Sequence, residues 1–165
     1  MNTNIKTWHL FRHGLATHSK EGYGDNIMTA SILPESVPII QRMGKYLSEV
    51  SDSVNFVSPY PRCRQTAAIV TEITGKKFQV DAQLAEYHQT TFTDFHKRVS
   101  DFVTSIIDVS LTDIIVCTHG AVVAGIQSLL IKDEFLESDL LNYPECGEIV
   151  IIKDKEVKTL DYNHG

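Results

Sequence analysis

The sequence predicts a three-layer α/β/α sandwich, with a mainly parallel central sheet and helices on both faces. Short β-branched or aromatic runs alternate along the chain with stretches of helical periodicity. Within those stretches the apolar residues recur at three and four positions, which builds one buried stripe per helix. The 165 residues are 42% apolar and 22% charged, the usage of an ordinary globular chain with a single core. No linker, internal repeat or low-complexity tract divides it, so residues 1–165 read as one domain.

Strands are expected at residues 7–11, 54–57, 78–80, 114–117 and 149–152, with residues 157–160 folding back as a hairpin partner. The first helix follows from Ile39, Met43, Tyr46, Leu47 and Val50, and the second from Cys63, Ala67 and Val70. Phe92, Phe95, Val99, Phe102, Val103 and Ile106 mark the third; Val122, Val123, Ile126, Leu129 and Leu130 mark the fourth. Ser36 stands where a cap precedes the first helix, Pro61 suits a first helical turn, and Thr91 or Thr93 precedes the third helix. Lys153-Asp154-Lys155-Glu156 reads as a solvated hairpin turn, and Gly22-Tyr23-Gly24 as plain loop chemistry without the third glycine of a dinucleotide site.

The net charge of −6 and the pI near 5.6 argue against a nucleic-acid or anionic-membrane surface, because those partners are held by clustered Lys and Arg. A small basic pocket is still compatible with that charge. The start of the chain is polar and carries no secretory pattern, so a cytoplasmic location is expected. Cys63, Cys117 and Cys146 are an odd number without C-x-x-C spacing and read as reduced thiols. Residues 114–131 lack a formally charged side chain, but Thr118, His119, Gly120, Gly125, Gln127 and Ser128 interrupt the run, which suits a buried strand and helix better than a membrane span.

In such sheets ligands bind beyond the carboxyl ends of the strands. The residues there are Arg12-His13-Gly14, Ser58-Pro59 and Thr118-His119-Gly120, and the helix after Ser58-Pro59 opens with Arg62 and Arg64. Two His-Gly pairs and two arginines on one edge make an anion site, in which guanidinium forks and helix-start amides take phosphate oxygens and glycine admits the ligand. A neutral imidazole whose Nδ1–H is held by a backbone carbonyl presents Nε2 as a nucleophile. Neither Cys63 nor Cys117 leads into the Arg-terminated loop that a catalytic thiolate needs, so both read as packing residues. His9, His18, His88, His96 and His164 lack tight metal-ligand spacing, and no metal or other cofactor is expected.

Leu10-Phe11-Arg12-His13-Gly14 resembles the opening signature of the histidine phosphatase superfamily, branch 1, which includes the phosphoglycerate mutases. Ser58-Pro59-Tyr60-Pro61-Arg62-Cys63-Arg64-Gln65-Thr66-Ala67, Leu84-Ala85-Glu86 and Val116-Cys117-Thr118-His119-Gly120 resemble the later blocks in the family's order, over about residues 5–125. The resemblance implies that His13 becomes a phosphohistidine and that Arg12, Arg62 and His119 bind the phosphoryl oxygens, with Gly120 and Ser19 as further phosphate contacts. Arg62 is preferred to Arg64, which points roughly 200° away on a helix. Glu86 aligns with the general acid, although Tyr87-His88-Gln89-Thr90-Thr91 departs from the family's Gly-containing continuation and leaves His88 as an alternative or assistant.

Two departures bear on substrate. Leu15, Ala16, Thr17, His18 and Ser19 replace the acidic residue, Ser and Asn of the mutases, and only a few residues join Glu86 to the helix of Phe95-His96-Lys97-Arg98-Val99. The resemblance then implies an open pocket, as in the compact phosphohistidine phosphatases, while a retained Glu86 favours phosphate esters. The expected activity is hydrolysis of phosphomonoesters or phosphorylated protein side chains, with a small phosphorylated molecule or a phosphoprotein as partner. A phosphomutase of the phosphoglycerate mutase type and a non-catalytic phosphate-binding module are the alternatives.

Overall fold

The computed structural model describes residues 5–17 and 22–164. Six strands, β1 (Thr7–Arg12), β2 (Ser53–Val57), β3 (Gln79–Val80), β4 (Asp113–Thr118), β5 (Glu148–Lys153) and β6 (Glu156–Asp161), lie in the order β3-β2-β4-β1-β5-β6. The first four in that order pair in parallel, and β5 and β6 add an antiparallel hairpin beside β1. The helices are α1 (Val37–Leu47), α2 (Pro61–Thr74), α3 (Phe92–Ile107) and α4 (Gly120–Lys132). The predicted three-layer α/β/α architecture is the observed one.

Alternation along the strands divides the core. Trp8 and Leu10 of β1, Ile114 and Val116 of β4, and Val150 and Ile152 of β5 pack with Phe95, Phe102 and Ile126 of α3 and α4. Phe11, Ile115, Cys117 and Ile149 point the other way, onto Ile40, Met43, Ala67 and Val70 of α1 and α2. A strand buried on both faces reads as a continuous apolar run, which is why residues 114–117 show no polar alternation. With α4 behind it, β4 accounts for the charge-free stretch, and no helix among the described residues is long and apolar enough to cross a membrane.

Local signals set the element ends, with one exception. Pro61 opens α2, Gly75 closes it with φ 77°, and Thr91 caps α3 by accepting from the Asp94 amide at 3.1 Å. Asp154 and Lys155, with φ of 51° and 67°, form the two-residue turn between β5 and β6. Ser36 is not the predicted cap. It ends a single 3₁₀ turn (Pro34–Ser36), its own backbone is already helical, and its hydroxyl donates back to the Leu33 carbonyl at 2.6 Å. The 3₁₀ turn continues directly into α1 and removes the extended residue that a side-chain cap requires.

The site-bearing edge is an extension of the ladders. The His13 amide donates to the Thr118 carbonyl at 3.1 Å and the Ser58 amide to the Cys117 carbonyl at 3.1 Å, so the chain stays in register one residue beyond β1 and β2. On the α4 side, a Cβ on Gly125 would lie 2.7 Å from the ring of Phe135, which is buried and packs edge-on against Phe92 and Phe95. Overpacking of this kind costs about 1–3 kcal/mol, more than alanine gains over glycine within a helix. Gly125→Ala should therefore lower the urea midpoint of unfolding at unchanged m-value; an unchanged midpoint would show that the Phe135 ring gives way freely.

Candidate active site

His13 follows β1 and is 1% exposed. Its Nδ1 lies 2.8 Å from the Gly14 carbonyl, and since a carbonyl only accepts, Nδ1 carries the proton and Nε2 the lone pair. Burial above all lowers its pKa, to about 3; the Gly14 hydrogen bond opposes this and the charges of Arg62 and Arg12 add to it. His13 is thus a neutral imidazole at neutral pH, and Nε2 faces Arg62, whose Nε donates to it at 3.2 Å. The Gly14 amide donates to Thr66 Oγ1 at 2.8 Å, which ties the end of β1 to α2, and a Cβ on Gly14 would lie 2.6 Å from Ile40 Cδ1. A side chain there would have to displace Ile40 of α1 and the Ser36 hydroxyl.

Arg62, in the first turn of α2, is fully buried, whereas Arg64 lies exposed. The whole Arg62 fork is engaged: Nε with His13, Nη1 with the Ile27 carbonyl, and Nη2 with Glu86 Oε2 at 3.5 Å. Tyr23 covers one side of the guanidinium with its ring centroid at 4.3 Å, and the Tyr60 centroid lies at 5.2 Å. Tyr23, expected to be loop chemistry alone, is therefore part of the site.

His119, between β4 and α4, has Nε2 2.7 Å from Ser58 Oγ and Nδ1 3.4 Å from Glu86 Oε2. The Ser58 hydroxyl oxygen also accepts from the Tyr60 amide at 3.3 Å, so its own proton is free to be donated to Nε2, leaving Nδ1–H aimed into the site. Burial holds the pKa of His119 well below the usual value, and its closeness to His13 and the charges of Arg62, Arg12 and Arg98 lower it further. The His13 and His119 rings meet edge-on at 5.6 Å.

Glu86 extends from the segment after β3 to these donors. Its Oε1 accepts from the Tyr87 amide at 3.0 Å, while Oε2 lies where Arg62 Nη2 and His119 Nδ1 converge. Burial raises its pKa, against the Tyr87 hydrogen bond and the positive charges of Arg62 and Arg12. The carboxyl thus occupies the place where an anionic oxygen is best held. Glu86, and not His88, makes these contacts.

Arg12 completes the positive edge. Its Nη1 donates to the Pro144 carbonyl at 3.3 Å, its guanidinium lies 4.8 Å from the Tyr143 ring centroid, and its Nε is buried without a hydrogen-bond partner. The Tyr143 ring fills the space beside Gly120, 2.8 Å from where a Cβ would stand. A cavity of about 430 Å³ opens beside Arg12, lined by Gly14, Leu15, Ile39, Cys146 and Asn163 among others. Ser19 and His18 lie outside the described residues.

Sequence reasoning named the charged groups and missed their supports: Ser58 behind His119, Thr66 behind Gly14, Tyr23 on Arg62, Tyr143 on Arg12. Ser58 could have been found from its place at a strand end. Of the other histidines, His9 bonds Asp113 and Tyr46, His96 stacks on Phe135, and His164 lines the cavity beside Arg12. Cys63 and Cys117 are buried thiols of the core, and no group of three or more His, Cys, Asp or Glu able to hold a metal occurs among the described residues.

Comparison with known proteins agrees with this architecture. The alpha-ribazole phosphatase from Shigella flexneri superposes with a TM-score of 0.76 at 15% identity, over 96% of this chain and 96% of that one. The protein histidine phosphatase SixA in complex with tungstate gives 0.67 at 15% identity over 93% and 94%, and a mycobacterial glucosyl-3-phosphoglycerate phosphatase gives 0.68 at 13% over 89% of both. At these identities the likeness is one of fold. No curated protein matches the sequence. The family described as the histidine phosphatase superfamily (branch 1) matches residues 8–91, from β1 through Glu86 to the cap of α3, and with His13, Arg62 and Glu86 all inside that span the chain belongs to this superfamily.

Proposed function

We propose that the chain is a phosphatase, active on phosphomonoesters or phosphorylated protein side chains, that works through a phosphohistidine on His13. The observation that carries this reading is the fixed tautomer of His13: a neutral ring whose Nε2 lone pair faces the Nε donor of Arg62, with the His119 ring edge-on beside it. In the first step Nε2 attacks phosphorus, the bond to the ester oxygen breaks, and the leaving oxygen takes the proton of the Glu86 carboxyl. In the second, water attacks the phosphohistidine and gives its proton to Glu86, the P–N bond breaks, and phosphate leaves. Arg12, Arg62 and the Nδ1–H of His119 hold the equatorial oxygens, with Gly120 and Ser19 as further phosphate contacts. Residues 1–165 act as one domain and need no cofactor for these steps.

The related structures are named for alpha-ribazole, protein histidine and glucosyl-3-phosphoglycerate phosphatases, which share a phosphoryl group and little else. A retained, partly buried Glu86 supports esters, whose alkoxide leaving groups need a proton. The net charge of −6 supports neither a nucleic acid nor an anionic membrane as partner, and three free thiols support work in the reducing cytoplasm. Tyr23 and Ile27 partly cover Arg62, so the pocket is less open than the short link after Glu86 suggests.

His13→Ala should lower turnover of an aryl phosphate by roughly 1,000-fold or more, and rapid-quench mass spectrometry should show an acid-labile adduct of about 80 Da only when His13 is present. Wild-type rates in the variant would overturn the assignment. Phosphate affinity without turnover in the wild type would favour a binding module, and bisphosphate-dependent transfer a mutase.

Glu86→Gln should slow phenyl phosphate by about 100-fold and dinitrophenyl phosphate far less, because only the poorer leaving group needs protonation. As the acid form is the active one, phenyl phosphate turnover should fall as pH rises through the raised Glu86 pKa, and the variant should lose that alkaline limb. His13, with a pKa of about 3, should add no acid limb between pH 7 and 4. Equal losses on both substrates would remove Glu86 from the acid role.

A further inference from the structure

After β3 and one 3₁₀ turn (Ala82–Leu84), the chain carrying Glu86 has no regular secondary structure until α3. A segment without a ladder must find other partners for its carbonyls, and here four in succession find them in two side chains. The Nη1 of Arg98, on α3, donates to the Gln83 and Ala85 carbonyls at 2.9 and 2.6 Å, and its Nη2 to the Glu86 carbonyl at 3.2 Å. The Leu84 carbonyl between them accepts from Thr118 Oγ1 at 2.6 Å. Thr118 directly precedes His119, so one anchor belongs to the strand that places His119 and the other to α3.

We propose that Arg98 is a positioning residue for Glu86: by gripping the carbonyls of residues 83, 85 and 86 it sets where the carboxyl stands beside Arg62 and His119, and hence how well the leaving group is protonated. This deepens the reading of Glu86 as the proton donor and rests on it. The guanidinium is itself held in place, since its face lies 4.8 Å from the Phe95 ring centroid and that ring stacks at 4.6 Å on Tyr87, the residue whose amide binds Glu86 Oε1. Among the described residues Arg98 makes no ion pair with a carboxylate, so its fork is committed to main chain. A planar guanidinium reaches three carbonyls at once, and a lysine, with its donors on a single nitrogen, does not. Proton transfer is sensitive to such placement, because a shift of about 1 Å in a catalytic group costs about 100-fold in rate.

The test compares Arg98→Gln and Arg98→Lys with wild type on an aryl phosphate series from phenyl to dinitrophenyl, with urea unfolding measured alongside. Arg98→Gln is expected to slow phenyl phosphate by about 100-fold and dinitrophenyl phosphate by less than about fivefold, and to flatten the alkaline limb seen with phenyl phosphate. In a Glu86→Gln background the same change should cost less than about twofold more on phenyl phosphate. Arg98→Lys, which keeps the charge and the stem should the Gln variant fail to fold, should show the same dependence on leaving group with a smaller loss. Equal losses across the series, or a full additional loss in the Glu86→Gln background, would overturn the proposal and leave Arg98 as a support of the fold. Failure of the wider reading is read separately, in wild type, as the absence of a His13-dependent phosphoryl adduct.

Discussion

The parallel, in-register pairing of β1 with β4 governs the position of nearly every group in the site. Arg12 faces Thr118 across the ladder, so the next residues on each chain, His13 and His119, emerge side by side. Because side chains alternate, a slip of one residue would send Leu10 and Phe11 to the wrong cores and turn His13 away from His119. The apolar faces of two helix layers therefore enforce the geometry of two histidines: the burial that stabilises the sheet also fixes the register. The same burial keeps both rings uncharged, which is the state that the proposed attack by one and donation by the other require.

Placing a guanidinium in the interior is costly unless each of its donors is met. Arg62 meets this with an imidazole nitrogen, a backbone carbonyl and a carboxyl, and with two tyrosine rings about its plane. These partners come from β1, the loop of residues 22–30, α2 and the segment after β3, so the charge ties together four separate parts of the chain. Glu86 is drawn two ways: desolvation favours its neutral form, while Arg62 and the Tyr87 amide favour the ion. Such an opposition suits the role proposed for Glu86, holding a proton at one step and taking one at the next.

Most of the architecture could be read from the sequence because its signals are local and repeated. The strands fall within one residue of expectation, since β-branched runs and their polar ends mark them directly. Ser36 shows where local reading fails: the right residue for a cap sits in a turn that already runs into the helix. In the site, His13, Arg12, Arg62 and His119 were legible as charged or ionisable residues beside strand ends. Ser58 stood at a strand end but its support of His119 was not read there, and Thr66 and Arg98 were not legible, because a hydroxyl or a helical arginine acquires its role from partners that are distant in sequence. Tyr23 was passed over because a glycine-flanked tyrosine has no pattern of its own, and only the fold brings it onto Arg62. Gly14 and Gly120 also make room for Ile40 and Tyr143 beside them, a packing reason that the sequence does not show.

The two borders of the sheet have a consequence for how the molecule behaves among its own copies. A strand at a border offers unpaired amides and carbonyls to any passing chain. On one side β3 is only two residues long, too short a template for a stable new pairing. On the other, β6 is longer but bears exposed Glu156, Lys158 and Asp161 and leaves β5 through a tight turn with Lys155 at its tip. An incoming strand would have to bring its own side chains against those charges without a matching set. The protein should therefore stay dispersed at high concentration even though its sheet is open at both ends, and a change that lengthened β3 or neutralised β6 would act on solubility long before it reached the pocket.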